Sequence, residues 1–375
     1  MKFNAPRRAR GFTLVELMVT ILVGSIVIAG VYSIYTESLR GYRVQNHALE
    51  GLGQLRMAVR QLRADLRSAG FNSPAQSNQE SWVDTPVGVV LSAVAIDIDP
   101  DPQVPNPGIN QNIEPQRLRL LGDFFAHKTF TSEMVSGATV TLPWEPADGD
   151  EAAFNRVFNN KRLLRIETFG VARREQIVPI QSASFNGGVL PSITLQEPAT
   201  GITGFGGGHE VSVLGYVRYR LKRDLRRDTA STKWDLVREE LDGLGNTVPG
   251  TALIIAEYVV DLQIYDICLN VTSPESGTMR QVPVAIQCFA NLASLAASPY
   301  SLAPNASNVS HLLRGLTVKV STRAPFEDED LQFAPRTIKD APLYAFDLDP
   351  EMKGAARVYE MASTVTLMSV QARRQ

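Results

Sequence analysis

From Leu17 to Ile34 the chain runs for eighteen residues, LMVTILVGSIVIAGVYSI, without one charged side chain. At about 1.5 Å of rise per helical residue, such a run crosses most of a ~30 Å hydrocarbon layer. Lys2, Arg7, Arg8 and Arg10 precede it and form a basic cluster on one flank only. A buried core helix can be equally apolar but is rarely flanked in this way. The asymmetry predicts a cytoplasmic N-terminus with the remainder of the chain across the membrane. Glu16 stands just inside the run, where a lone carboxylate is costly unless it finds a partner or is protonated.

A secretory signal peptide would require a small-residue cleavage site after the apolar run. None occurs around Ile34-Tyr35-Thr36-Glu37, where the helical pattern continues. The order Gly11, Phe12, Thr13, Leu14, Val15, Glu16, followed by the apolar helix, instead resembles the prepilin leader of type IV pilins and type II secretion pseudopilins. The resemblance implies that the inner-membrane prepilin peptidase cuts between Gly11 and Phe12 and methylates Phe12. It also implies that Glu16, the fifth residue of the mature chain, serves assembly. The organisation expected from this is a leader over 1–11, a pilin helix over 12–70 with its membrane span at about 14–35, and a β-rich periplasmic domain over 71–375.

Past the membrane segment the helix turns amphipathic. Leu52, Leu55, Val59, Leu62 and Leu66 step by 3, 4, 3 and 4 residues and share one face. Arg56, Arg60, Arg63 and Arg67 form a second stripe about 90° around the helix. That stripe reads either as a solvated flank or as a contact with acidic groups on neighbouring subunits. Gly70 stands where a C′ glycine ends a helix, and Gly41, Gly51 and Gly53 predict a flexible or partly melted stretch before it.

Beyond Gly70 short β-like runs alternate with turns: 87–96, 163–169, 211–221, 233–241, 258–267, 316–323 and 358–370. Val217, Tyr219 and Leu221 alternate with Arg218, Arg220 and Lys222, and Leu316, Val318 and Val320 with Thr317, Lys319 and Ser321. Both patterns predict sheets with one buried and one wet face. Strands following one long helix predict an α+β fold, the helix packed on a mostly antiparallel sheet. The Pro- and Asn-rich segments 97–115, 143–160 and 290–308 read as long connections of functional or mobile character.

The series YVRYRLKRDLRRD, KWDLVREEL, IAEYVVDLQIYD and LRGLTVKVSTRA, with QLRADLRSAGF at the helix end, resembles the PilW family of minor pilins. That family is related to the J-type pseudopilin of type II secretion. The resemblance implies a subunit that primes a pilus near its tip. Its partners would be the prepilin peptidase, other minor pilins, the major pilin, the inner-membrane assembly platform and membrane lipid. A J-type pseudopilin and a pilin-anchored adhesin or ligand-binding module are the alternative readings, the long connections forming the binding face of the latter.

Net charge of -2 over 375 residues gives no electrostatic case for nucleic acid as a partner. His47, His127, His209 and His311 form no HExxH pattern and no ligand spacing with the cysteines, and no GxSxG elbow occurs. GITGFGGGHE at 201–210 lacks the Gly-Lys-Ser/Thr ending of a phosphate loop. Asp97, Asp99, Asp101 and the FEDED run at 326–330 supply hard oxygen atoms without the glycine-and-glutamate pattern of a calcium loop. No catalytic residue, metal site or cofactor is expected. Cys268 and Cys288 lie beyond the membrane segment, at the edges of the apolar runs QIYDICLNV and VAIQCFANL, which can pair as neighbouring strands; they are expected to form a periplasmic disulfide, and two buried thiols are the alternative.

Overall fold

In a computed structural model the described residues are 13–74, 77, 83–85, 89–100, 104, 107–145, 148–168, 174–188, 190–199, 204–205, 208–223, 232–274, 281–305, 308–338, 341–349, 351 and 354–367. The chain forms two units, Met1–Glu50 and Gly51–Gln375. One helix, Leu14–Ser68, supplies the first and opens the second. It runs without a break through Gly41, Gly51 and Gly53, so the expected melted stretch is not there. At Gly51 the ring of Tyr359 lies 3.4 Å from where a Cβ would stand, which is a packing reason for a small residue.

The helix stops where the sequence places its stop. Gly70 takes φ 78°, a left-handed conformation that glycine adopts without steric cost. Its N–H then leaves the helix for the carbonyl of Leu121, 2.8 Å away. Gly122 allows this close approach, because a Cβ there would sit 2.3 Å from the carbonyl oxygen of Ser68.

Two sheets follow. The larger has thirteen strands among the described residues, and its axis is the strand His209–Arg223. The first half of that strand pairs with Leu163–Thr168, and the second half lies between Gln116–Gly122 and Trp234–Glu240. The smaller sheet has five strands in the order Gln281–Asn291, Val259–Pro274, Leu313–Arg323, Ala356–Thr366, Ala345–Phe346. Pairing is antiparallel throughout the described ladders except where Val83–Asp84 lies parallel to Arg174–Ser184. The fold is therefore α+β, a long helix with mostly antiparallel sheets.

The expected apolar face of the helix is buried at Leu55, Val59, Leu62 and Leu66, with Leu52 half-buried. These side chains share one core with Val217, Tyr219 and Leu221 of the larger sheet and with Leu316, Val318 and Val320 of the smaller. Burying each such leucine contributes roughly 1.5–3 kcal/mol, so the helix is the common floor of both sheets. A separate core of Trp144, Phe154, Phe158, Ile166, Val178 and Val213 lies away from the helix.

The second face of Leu313–Arg323 is not wet, contrary to the alternation. Thr317, Lys319 and Ser321 are all buried. A polar ladder covers them: Thr317 and Thr364 hydroxyls meet at 3.0 Å, Ser321 donates to Glu360 at 3.0 Å, and Lys319 lies 3.6 Å from the same carboxylate. Alternation reports which side chains can bear water; it does not report whether another strand arrives to replace that water.

The long connections are also more regular than expected. Segment 143–160 contains the helix Glu151–Val157, capped by Asp150 accepting the Ala153 N–H at 2.9 Å. Segment 290–308 contains Leu292–Ala296, started by an Asn291–Ser294 capping box. The buried Asn308 amide donates to the carbonyls of Val94, Leu302 and Ala303 at 3.2, 2.9 and 2.9 Å. In 97–115, Asn110 exchanges two hydrogen bonds with the Asp347 backbone, at 2.7 and 2.9 Å.

Candidate assembly site at the head of the helix

The first turn of the helix is closed by a reciprocal cap. The Thr13 N–H and hydroxyl both donate to Glu16 Oε2 at 3.0 Å, and the Glu16 N–H donates back to Thr13 Oγ1 at 3.2 Å. This is a capping box, in which a threonine before the helix and a glutamate at its third position satisfy each other's orphan groups. Both bonds to the carboxylate use Oε2; among the described residues Oε1 accepts none. Thr13-x-x-Glu16 before an apolar run is the sequence signal for this cap, and sequence reasoning missed it by treating Glu16 only as an isolated charge.

Beyond the cap, large apolar side chains are exposed all around the helix, from Leu14 through Val23 and Ile28 to Tyr35. Three of its hydroxyls are turned inward to the backbone. Thr20 donates to the Glu16 carbonyl at 2.9 Å, Ser25 to Leu22 at 2.8 Å and Thr36 to Ser33 at 2.9 Å. Hydroxyls bonded in this way leave no donor to be solvated, which suits a helix in hydrocarbon. By length and composition this helix can cross a membrane.

Gly11 and Phe12 lie outside the described residues. Residues 6–32 match the family model of the prokaryotic N-terminal methylation motif. The motif supports a type IV pilin-like substrate of prepilin peptidase, and the long apolar helix suits the membrane anchoring typical of pilins. No curated protein and no solved structure matches it.

The other predicted site residues fall elsewhere. Cys268 and Cys288 are directly opposite on neighbouring strands and form a disulfide, with Cα atoms 4.0 Å apart. It staples the hairpin Val259–Pro274 to Gln281–Asn291 at one edge of the smaller sheet. Three of the acidic residues weighed for calcium have internal uses. Asp97 is held by Arg117 through Nε at 2.6 Å and again through the adjacent guanidinium nitrogen. Glu327 accepts the N–H groups of Leu348 and Asp349 at 2.6 and 3.2 Å, and Asp328 accepts from Arg357 at 2.9 Å. Asp101 lies outside the described residues. Among the described residues no group of three or more His, Cys, Asp or Glu side chains is placed to hold a metal ion.

A further polar centre was not foreseen. Asp65, only 6% exposed, sits on the apolar face of the helix between Leu62 and Leu66. Its Oδ2 accepts from the Tyr219 hydroxyl and from Arg238 Nε, both at 2.7 Å, and Gln61 donates to Oδ1 at 3.0 Å. Burial and the adjacent Asp65 charge push the Tyr219 phenol well above its ordinary value, so it remains a donor. The signal was available: a carboxylate within a buried stripe needs partners from whatever covers it.

Proposed function

We propose that this chain is a minor pilin of a type IV pilus that takes part in priming and assembling the filament at its tip. The observation that carries the reading is the methylation motif at 6–32 running into a helix whose membrane-length head is apolar on every side. In this reading residues 1–11 are the leader, removed between Gly11 and Phe12, and Phe12 becomes the methylated N-terminus. Glu16 keeps Oε1 available for a second partner, which suits docking to the N-terminal amine of a neighbouring pilin in a low-dielectric bilayer. The β-rich domain then lies in the periplasm before assembly, and the partners are other minor pilins, the major pilin and the inner-membrane platform. The chemistry offered is anchoring and docking, and no catalytic step is assigned to any residue.

Mass spectrometry of membrane-extracted protein tests the processing: an N-terminal methylated Phe12 is expected, and an intact leader in cells with active peptidase would sink the reading. Gly11→Val is expected to block the cut, because a β-branched side chain crowds the peptidase site. Deletion of the gene is expected to reduce surface filaments, with Glu16→Ala failing to restore them. Normal filaments combined with lost protein secretion would assign the chain to type II secretion instead.

A further inference from the structure

We propose that the arginine face of the helix docks into the acidic hollow of a second copy of this chain. Arg56, Arg60 and Arg63 are exposed and form no hydrogen bond or ion pair with any described residue. Their neighbours three and four positions away along this stripe are one another or Arg67, so like charges stack and weaken the helix they stand on. Met57, 71% exposed, lies one turn from Arg60 on the same side. Three largely buried arginines of the domain have carboxylate partners, Arg238 with Asp65 at 2.7 Å, Arg336 with Asp261 at 2.7 Å and Arg218 with Glu239 at 2.8 Å. The helix face is a cationic stripe with no described partner, flanked along one edge by an exposed methionine.

Its complement is on the same chain. An open hollow of about 750 Å³ is lined by Phe326, Glu327, Glu329, Asp330, Leu348 and Asp349. Glu329 and Asp349 are exposed and in no ion pair with a described residue, and Phe326 is 72% exposed. Three guanidinium groups beside a methionine therefore face, in another copy, carboxylates beside a phenylalanine and a leucine. Within one chain no described ion pair joins the two surfaces. Matching of opposite potentials governs which patches meet and how fast, and the flexible methionine adapts to the apolar floor. The contact joins two different patches, so it closes as a reciprocal pair or propagates.

The test is the self-association of the full chain in detergent, followed by analytical ultracentrifugation at low and high salt. Wild type is expected to associate at low salt and to dissociate as salt screens the contact. Arg56→Glu, Arg60→Glu and Arg63→Glu together, or Glu329→Arg with Asp349→Arg, are each expected to weaken association by about tenfold or more, three exposed charges being reversed in the first and two in the second. Mixing the two reversed proteins is expected to restore it. The triple Arg→Gln variant keeps helix propensity and is expected to weaken association as well, which guards against misfolding of the reversed forms. An intact Cys268–Cys288 bridge on non-reducing gels reports the fold. A wild type that stays monomeric, reversals without effect, or a mixture that does not associate would each overturn the proposal. Variants that lose only binding to vesicles of anionic lipid, with self-association unchanged, would also overturn it. Processing at Phe12 is read separately by mass, so loss of the prepilin reading and loss of this contact are distinguishable.

Discussion

The two ends of one helix solve opposite problems. From Leu14 to Tyr35 its apolar side chains are exposed on every side, and the hydroxyls of Thr20 and Ser25 are bonded to the helix's own carbonyls. From Leu55 to Leu66 a single stripe is buried against two sheets, and its one buried charge is satisfied by residues more than 150 positions away. A helix that must sit in lipid cannot rely on distant partners, whereas one that closes the core of a domain needs them. The first is specified by composition and the second by matching, and variants separate the two.

The largest effect is expected at Asp65. Replacing it with alanine leaves the Arg238 guanidinium and the Tyr219 hydroxyl without their acceptor in a largely buried site. Removing one partner of a buried ion pair typically costs about 3–5 kcal/mol. Denaturant unfolding of the full chain in detergent should register that loss, and Asp65→Asn, which can still accept from Tyr219, should lose less. A change below about 1 kcal/mol on Asp65→Ala would mean the triad contributes direction and not stability.

Leucine truncations contrast the two halves directly. Leu62→Ala opens a cavity in the shared core and is expected to lower domain stability by about 2–5 kcal/mol. Leu22→Ala touches no core and is expected to leave domain unfolding unchanged while lowering the fraction extracted with membranes. Equal effects on unfolding would erase the distinction.

How much of this was legible beforehand follows the same division. The head needed only an uncharged run and its basic flank, both local in sequence. The buried stripe at Leu55, Val59, Leu62 and Leu66 was legible from its 3-and-4 spacing, and the inward set Val217, Tyr219, Leu221 from alternation. The strand Gln116–Gly122 was missed, because QRLRLLG carries two arginines and follows a Pro- and Asn-rich connection. Arg117 and Arg119 are used there on Asp97, across the strand pair with Val94–Ile98. Gln281–Asn291 is expected only as the run VAIQCFANL pairing beside QIYDICLNV, and it does pair there; Pro283 is tolerated because the strand lies at the edge of the sheet. Partners such as Tyr219 and Arg238 for Asp65 depend on which strands come to lie over the helix. No local pattern states that.

The disulfide gives a third, smaller expectation in the docked half of the chain. The bridge closes the connection between strands Val259–Pro274 and Gln281–Asn291. Replacing both cysteines with serine should lower domain stability by about 3 kcal/mol in the chain-entropy picture. Processing at Phe12 and membrane extraction should be unchanged, because the motif and the apolar run are local in sequence. A double variant that is no longer processed would show the two halves to be coupled.

The smallest effect is expected at Thr13, and it separates two roles that Glu16 combines. Thr13→Ala removes the hydroxyl that caps the Glu16 N–H, and losing such a cap loosens a helix start by about fivefold in its opening equilibrium. Hydrogen exchange should show this at the first-turn amides only, with the amides of Gly51–Ser68 unchanged. Glu16→Gln keeps a side-chain oxygen that can accept the Thr13 N–H, so the turn should remain closed while the charge is gone. Glu16→Ala removes both. If Glu16→Gln enters filaments as well as the wild type and Glu16→Ala does not, the glutamate acts by shaping the first turn. If both fail while the first turn of the glutamine variant stays protected, the charge itself is what the neighbouring subunit reads.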